Sequence, residues 1–273
     1  MATMVDRDRM VALLSEEYAA VSTMCRGFGD ADWATPTCLP GWTVKDQLSH
    51  LAGTEAMLAG EAPPAIAVAD APYLKNDLGR ANEVWVEANR GRTGADVLAH
   101  FDDVVGRRLG SLGAMTQAEF DEPSWTPVGR EETYGRFMRI RHYDCFLHEH
   151  DIRQALGIPD RDEPSHVRSA LEETAAAIGY IVGRKAAMPA GSRVRIELTG
   201  SVEVTYLVAV NGRAELVEAF EGGPTTGIRL PVMLFLRLTG GRLEASGPLD
   251  DEIVLEGDRE LAIKLASNLA YTI

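Results

Sequence analysis

The sequence predicts an α+β protein, with a four-helix bundle at the N-terminus followed by a smaller module that mixes strands and helices. Three observations carry this expectation. Apolar residues recur at helical spacing through most of residues 1–160. A charged linker, DRDEPS, then leads into one further helical stretch. From about residue 192 the texture shifts to the two-residue alternation of short strands. The expected organisation is therefore a helical bundle over 1–160, a bridging helix over 161–190 and an α+β domain over 191–273.

The elements follow in order. Met10, Leu13, Leu14, Tyr18 and Val21 form one stripe of an amphipathic helix within residues 6–27. The next stretch, DADWATPTCLPGW, holds two prolines and two tryptophans and reads as a long structured loop. A second helix starts at Thr43, because Thr43 and Asp46 stand at capping-box spacing and an acid is favourable near a helix's positive end. It runs through VKDQLSHLAGTEAMLAG and stops between Gly60 and Pro64. NDLGRANEVWVEANR and GADVLAHFDDVVGRRLGSL are further helices punctuated by glycine. YGRFMRIRHYDCFLHEHDIRQALG completes the bundle and ends at Gly157. HVRSALEETAAAIGYIVGRKAA reads as a single helix. Beyond it, RVRIEL, VEVTYLVAV and AELVEAF read as antiparallel strands, the last two joined by a turn at Asn211-Gly212. LPVMLFLRLTGG, EIVLEG and DRELAIKLASNLA add a helix, a strand and a final helix.

Composition narrows the function. No apolar run approaches the roughly 18 residues a membrane span needs, and the N-terminus alternates charged with apolar residues, unlike a signal peptide. The three cysteines, Cys25, Cys38 and Cys145, show no CxxC spacing and fit reduced thiols. A cytoplasmic protein is expected, monomeric or homodimeric. A formal net charge of −14 argues against nucleic acid and anionic membranes, whose phosphates call for a basic surface, and leaves small molecules as the better partners.

One constellation carries chemistry. Asp144 and His148 are four apart on a predicted helix and project from one face. His50 lies on the second helix, where Val44, Leu48 and Leu51 mark the inward stripe. One carboxylate and two imidazoles from facing helices supply three metal ligands and leave a position open, as in catalytic zinc sites. Each piece alone also arises in ordinary core packing, and His142 and His150 compete as ligands. Nickel or another first-row ion would accept the same donors.

These residues also carry a resemblance. W-x-x-P-T-x-L-P-G-W-T-V-K-D-Q-L-S-H-L, from Trp33 to Leu51, resembles the loop and second helix of the mycothiol-dependent maleylpyruvate isomerase family, within the wider DinB-like superfamily. D-C-F-L-H-E-H-D-I-R-Q-A-L-G, from Asp144 to Gly157, resembles that family's acid-x-x-x-His-x-x-Asp signature. The resemblance implies a DinB-like bundle, metal ligands at His50, Asp144 and His148, Asp151 supporting them and counted with the catalytic residues, and a sterol-carrier-like C-terminal domain. The family usually has Glu where this chain has Asp144. It also uses a C-terminal-domain arginine facing the metal. Arg237 and Arg242, in FLRLTGGR, are the candidates, and Arg242 is favoured for catalysis and thiol binding. Arg80 and Asn82 are further candidates for binding the thiol.

A metal with an open position deprotonates a coordinated thiol. No cysteine stands in the ligand set, so the thiol is expected as a cosubstrate, and the resemblance names mycothiol. The leading expectation is S-transfer or thiol exchange on a small electrophilic metabolite, because the resemblance is broad and maleylpyruvate is one narrow substrate. Thiol-dependent cis–trans isomerisation of the maleylpyruvate type is the alternative. A metal-dependent hydrolase and a non-catalytic binding protein are the rivals of other kinds. Trp33 and Trp42 are expected to pack the proline loop against the bundle or to wall the pocket.

Overall fold

The computed structural model describes residues 2–127, 129–243 and 251–272. It divides into two compact units, Met1–Arg161 and Asp162–Ile273. The α+β class expected from sequence is present.

The first unit contains α1 (Arg7–Cys25), α2 (Asp30–Trp33), α3 (Val44–Leu58), α4 (Asp77–Asn89), α5 (Gly94–Ala114), α6 (Gln117–Phe120) and α7 (Tyr134–Leu156). A hairpin of β1 (Pro123–Thr126) and β2 (Gly129–Thr133) precedes α7. Helices α1, α3, α5 and α7 pack on one another, and α4 lies against α3. Their inward stripes supply a core that includes Met10, Leu14, Leu48, Leu51, Phe101, Leu112, Met138 and Ile152. Burying each such side chain contributes about 1.5–3 kcal/mol, so this stripe, more than helix propensity, holds the bundle.

Local signals set the helix ends. The Thr43 hydroxyl accepts from the Asp46 N–H while the Asp46 carboxylate accepts from the Thr43 N–H, closing the expected capping box. Thr93 and Asp96 do the same for α5, and Thr133 caps α7. Gly157, at φ 66°, ends α7 in the left-handed conformation that glycine adopts without strain. The proline loop is not wholly irregular, since it contains α2 and a β-bridge between Pro36 and Thr43.

In the second unit, the helix expected over 166–187 is broken. It comprises α8 (Pro164–Ala175), a turn, α9 (Ile178–Tyr180) and a π-helical turn over Ile181–Lys185. The break accompanies a close approach to a strand. A Cβ at Gly179 would lie 2.7 Å from the Ala214 carbonyl oxygen, and one at Gly183 would lie 3.0 Å from the Ala214 Cβ. The sheet runs β5-β4-β3-β6-β7, from β3 (Arg193–Thr199), β4 (Val204–Asn211), β5 (Arg213–Leu216), β6 (Thr226–Pro231) and β7 (Val254–Gly257). The β3–β4 and β4–β5 pairs are antiparallel as expected, with Gly212 at φ 77° in the turn. The central β3–β6 pair is parallel, with Ile196 opposite Ile228. No hairpin signal announces such a pair, because its strands meet only through a long crossover. Helices α10 (Val232–Thr239) and α11 (Arg259–Ala266) pack against β6. Among the described residues no helix is long and apolar enough to cross a membrane.

The α3–α4 contact is close because position 53 is glycine: an added Cβ would lie 2.3 Å from the Trp85 Cβ. Gly53→Ala should therefore lower stability by about 1–3 kcal/mol, the usual cost of overpacking. A drop in the urea unfolding midpoint at unchanged slope measures it.

Candidate metal centre

Helices α3 and α7 bring the three sequence-predicted ligands together. His50 Nε2 lies 3.2 Å from Asp144 Oδ2, and His148 Nε2 lies 3.4 Å from Asp144 Oδ1. One ligand atom from each residue falls within 4.8 Å of the others. Zinc bonds of about 2.0–2.1 Å place neighbouring donors of a tetrahedron about 3.3 Å apart, so the donors present fit a single ion. Both imidazoles are buried, while the Asp144 side chain keeps 32% of its surface exposed, which leaves the cluster open on one side.

Each donor is held differently. The Nδ1 side of His148 faces the Gln47 amide oxygen and, at 3.4 Å, Asp151 Oδ2. An Nδ1–H donated there fixes the tautomer and turns the Nε2 lone pair toward Asp144. Gln47 is itself anchored, donating from Nε2 to the Thr37 hydroxyl at 2.7 Å. Asp144 Oδ2 accepts from Arg141 Nη1 at 2.5 Å. His50 Nδ1 is buried without a hydrogen-bond partner among the described residues, so packing holds this ring. Trp42 supplies that packing: its ring centroid lies 5.3 Å from that of His50 and 6.0 Å from that of His148. The indole N–H donates to Glu83 Oε2 at 2.8 Å, and Glu83 also accepts from Arg90 and Tyr73.

The electrostatics favour metal-ready protonation states. Burial pushes the His50 imidazolium down to a pKa of about 4, against the opposing pull of Asp144, so the ring is neutral at neutral pH. Burial works against the Asp144 carboxylate, but His148, Arg141 and His50 outweigh it and hold its pKa well below the usual range. Burial pushes the Cys25 thiol up to about 12 and the Cys145 thiol well above its ordinary value. Exposed Cys38 places its sulfur 3.3 Å from Asp151 Oδ1, on the far side of His148 from Asp144.

The competing histidines stand elsewhere. His150 directs both ring nitrogens at backbone carbonyls, those of Phe146 and Arg161, and His142 lies beside Glu17. Trp33 packs on Phe28 and against Gly94, so of the two tryptophans only Trp42 walls the cluster. Arg80 pairs with exposed Asp70 at 2.8 Å and makes no hydrogen bond or ion pair with the three donors. Arg237 lies in the last turn of α10. The Arg242 backbone N–H donates to the Arg237 carbonyl, and its guanidinium donates to the Gly240 carbonyl at 2.7 Å. Sequence reasoning missed Gln47, Arg141, Glu55 and Glu83. Helical spacing offered a signal for two of them: Gln47 precedes His50, and Arg141 precedes Asp144, by three positions.

The depressed His50 pKa gives a pH signature in metal-free protein. The folded state binds this proton more weakly than the unfolded chain. Stability therefore rises with pH between about 4 and 6.5, is complete above that window, and falls by roughly 3 kcal/mol on crossing it downward. An NMR titration of metal-free protein should place the His50 midpoint near 4, and a midpoint near 6.5 would contradict the burial argument.

The family model described as the mycothiol maleylpyruvate isomerase N-terminal domain matches residues 14–153, just over half of the chain and every residue from His50 to Asp151. Two solved structures are similar over 93% of this chain and 95% of their own. One is the crystal structure of the mycothiol-dependent maleylpyruvate isomerase, at 15% identity and a TM-score of 0.61. The other is a histidine-to-alanine mutant of a mycothiol-dependent maleylpyruvate isomerase, at 14% identity and a TM-score of 0.59. At such identities these structures show a shared fold. Comparison with curated proteins gives no match. The chain belongs to the mycothiol maleylpyruvate isomerase N-terminal domain family, the enzyme family that its two segments around His50 and Asp144 resemble.

Proposed function

We propose that this chain is a mycothiol-dependent metalloenzyme that isomerises a small cis-configured electrophile of the maleylpyruvate type. The observation that supports it most is the convergence of His50, Asp144 and His148, with ligand atoms within 4.8 Å, inside the segment that the family model covers. The donor set of two imidazoles and one carboxylate favours zinc. When bound, such an ion lowers the pKa of a thiol at its open position.

The chain's own residues supply the rest. Gln47 and Asp151 orient His148, Arg141 holds Asp144, and the Trp42 indole shields both imidazoles from water. The protein's thiols are poor nucleophiles here: Cys25 and Cys145 are buried with raised pKa values, and Cys38 contacts the Asp151 carboxylate. An external thiolate is therefore the nucleophile. Its sulfur bonds to the β-carbon of a conjugated cis double bond, the former double bond rotates, and the C–S bond breaks to return the thiolate and the trans product. No oxidant or net proton is needed. Arg242 and Arg237 are the candidates for recognising an anionic group of the thiol or substrate. The family match favours isomerisation over the S-transfer that the sequence placed first, since it names an isomerase.

The test is purified protein with mycothiol and maleylpyruvate. The expected result is about one divalent metal per chain, rearranged substrate and an undiminished thiol pool. His50→Ala and His148→Ala should each lower metal affinity and turnover by at least about 100-fold while the fold persists. Thiol consumed in step with substrate would establish transfer instead, and turnover without thiol would establish a hydrolase.

A further inference from the structure

Beneath the three donors, α3 and α7 are joined by a line of alternating charges. Arg141 is 4% exposed, donates from Nη1 to Asp144 Oδ2 at 2.5 Å and from Nε to Glu55 Oε1 at 3.0 Å. Glu55, fully buried, accepts at its other oxygen from Arg108 Nε at 3.1 Å. Arg108 is anchored in turn by the Tyr134 hydroxyl at 2.9 Å. Two cations and two carboxylates thus alternate, and the line ends on one oxygen of a proposed metal ligand. A guanidinium this close takes up part of the carboxylate's charge and occupies one of its oxygens. Asp144 Oδ2 thus takes the Arg141 hydrogen bond while also standing 3.2 Å from His50 Nε2, and Oδ1, facing His148, is the oxygen that Arg141 does not engage.

We infer that Arg141, braced by Glu55, is a positioning residue that confines Asp144 to one oxygen donor and offsets its charge, so that a divalent ion held there prefers an anionic fourth ligand. The inference rests on the metal reading proposed above. Two neutral imidazoles add no charge to the ligand set, Asp151 stands behind His148 outside that set, and Arg141, shared between Asp144 and Glu55, offsets part of the one negative charge that Asp144 brings. The ion would keep most of its double positive charge in a largely buried setting, where Coulomb interactions are stronger than in water. A thiolate or carboxylate satisfies that surplus and neutral water does not. The arrangement gives up metal affinity, through repulsion between guanidinium and ion, and gains affinity for the anionic reactant.

Cobalt(II) tests this, titrated into metal-free protein and followed by visible absorption. 2-Mercaptoethanol then serves as the probe thiol, followed by its sulfur-to-cobalt charge-transfer band. Arg141→Gln should bind Co2+ at least about tenfold more tightly and the probe at least about tenfold more weakly, because a nearby positive charge has gone. Arg141→Lys, which keeps the charge but loses the fork that spans Asp144 and Glu55, should fall between the unaltered protein and Arg141→Gln in both constants, and values equal to or beyond those of Arg141→Gln overturn the role of the charge. Equal or weaker Co2+ binding by folded Arg141→Gln overturns the inference, and tighter Co2+ binding with unchanged probe affinity overturns the preference for an anion. Should Arg141→Gln fail to fold by circular dichroism, Glu55→Gln supplies the opposite sign. With Glu55 neutral, Arg141 acts more fully on Asp144, and Co2+ should bind at least about threefold more weakly. Unchanged or tighter binding in Glu55→Gln overturns the inference. Absence of Co2+ uptake by the unaltered protein overturns the metal reading and the inference together, whereas uptake without any difference among variants overturns the inference alone.

Discussion

The contact between α3 and α7 is governed by buried charge, and the candidate site depends on it. Helix α3 brings Gln47, His50 and Glu55 to this face, and α7 brings Arg141, Asp144, His148 and Asp151. Glu55 is fully buried and Arg141 nearly so. Leaving either unpaired would cost several kcal/mol, more than a typical packing preference supplies. Sliding one helix past the other by a turn, about 5.4 Å, would break the Arg141–Glu55 bond, the His148–Gln47 contact and the His50–Asp144 contact at once. The charges therefore fix the register that apolar stripes alone would leave adjustable.

That register has chemical consequences. It sets two imidazoles and one carboxylate at separations suited to a single ion, and it does so among buried groups where His50 stays neutral. The covering layer comes from the loop ahead of α3. Trp42 reaches over both rings because Glu83, on α4, accepts its indole N–H from behind. Gly41, at φ 79°, lets the backbone turn there, and a side chain would meet the Tyr73 ring at 2.5 Å. Trp42, held by Glu83, covers one side of the cluster, and the partly exposed Asp144 leaves another side open.

Much of the helical unit was legible because its signals are local. The Thr43–Asp46 box, the Gly157 cap and the Asp144–His148 spacing each act within one helical turn, so the residues themselves state the geometry. The candidacy of His50, Asp144 and His148 as ligands came from spacing and family resemblance together, and the structure brings the three side chains together. Gln47 and Arg141 were not, although they share helical faces with His50 and Asp144, because polar residues at such positions equally well face solvent. The break after α8 was hidden for a related reason. Ala175, Ala176 and Ala177 favour helix, and the departure accompanies a tertiary feature, the proximity of Gly179 and Gly183 to Ala214 in β5.

By itself the sequence determined the class of the fold, the starts and stops of most helices, the hairpin through Asn211-Gly212, and the candidacy of His50, Asp144 and His148. These depend on periodicity and capping, which operate over a few residues. The tertiary structure decided the parallel pairing of β3 with β6, the role of Trp42 rather than Trp33 as a wall, and the placement of His148, rather than His142 or His150, beside His50 and Asp144. It also decided which oxygen of Asp144 Arg141 engages. Each is settled by groups far apart in the chain that compete for the same buried space. Only the packed state, where an unpaired polar atom has no water to turn to, ranks those competitors.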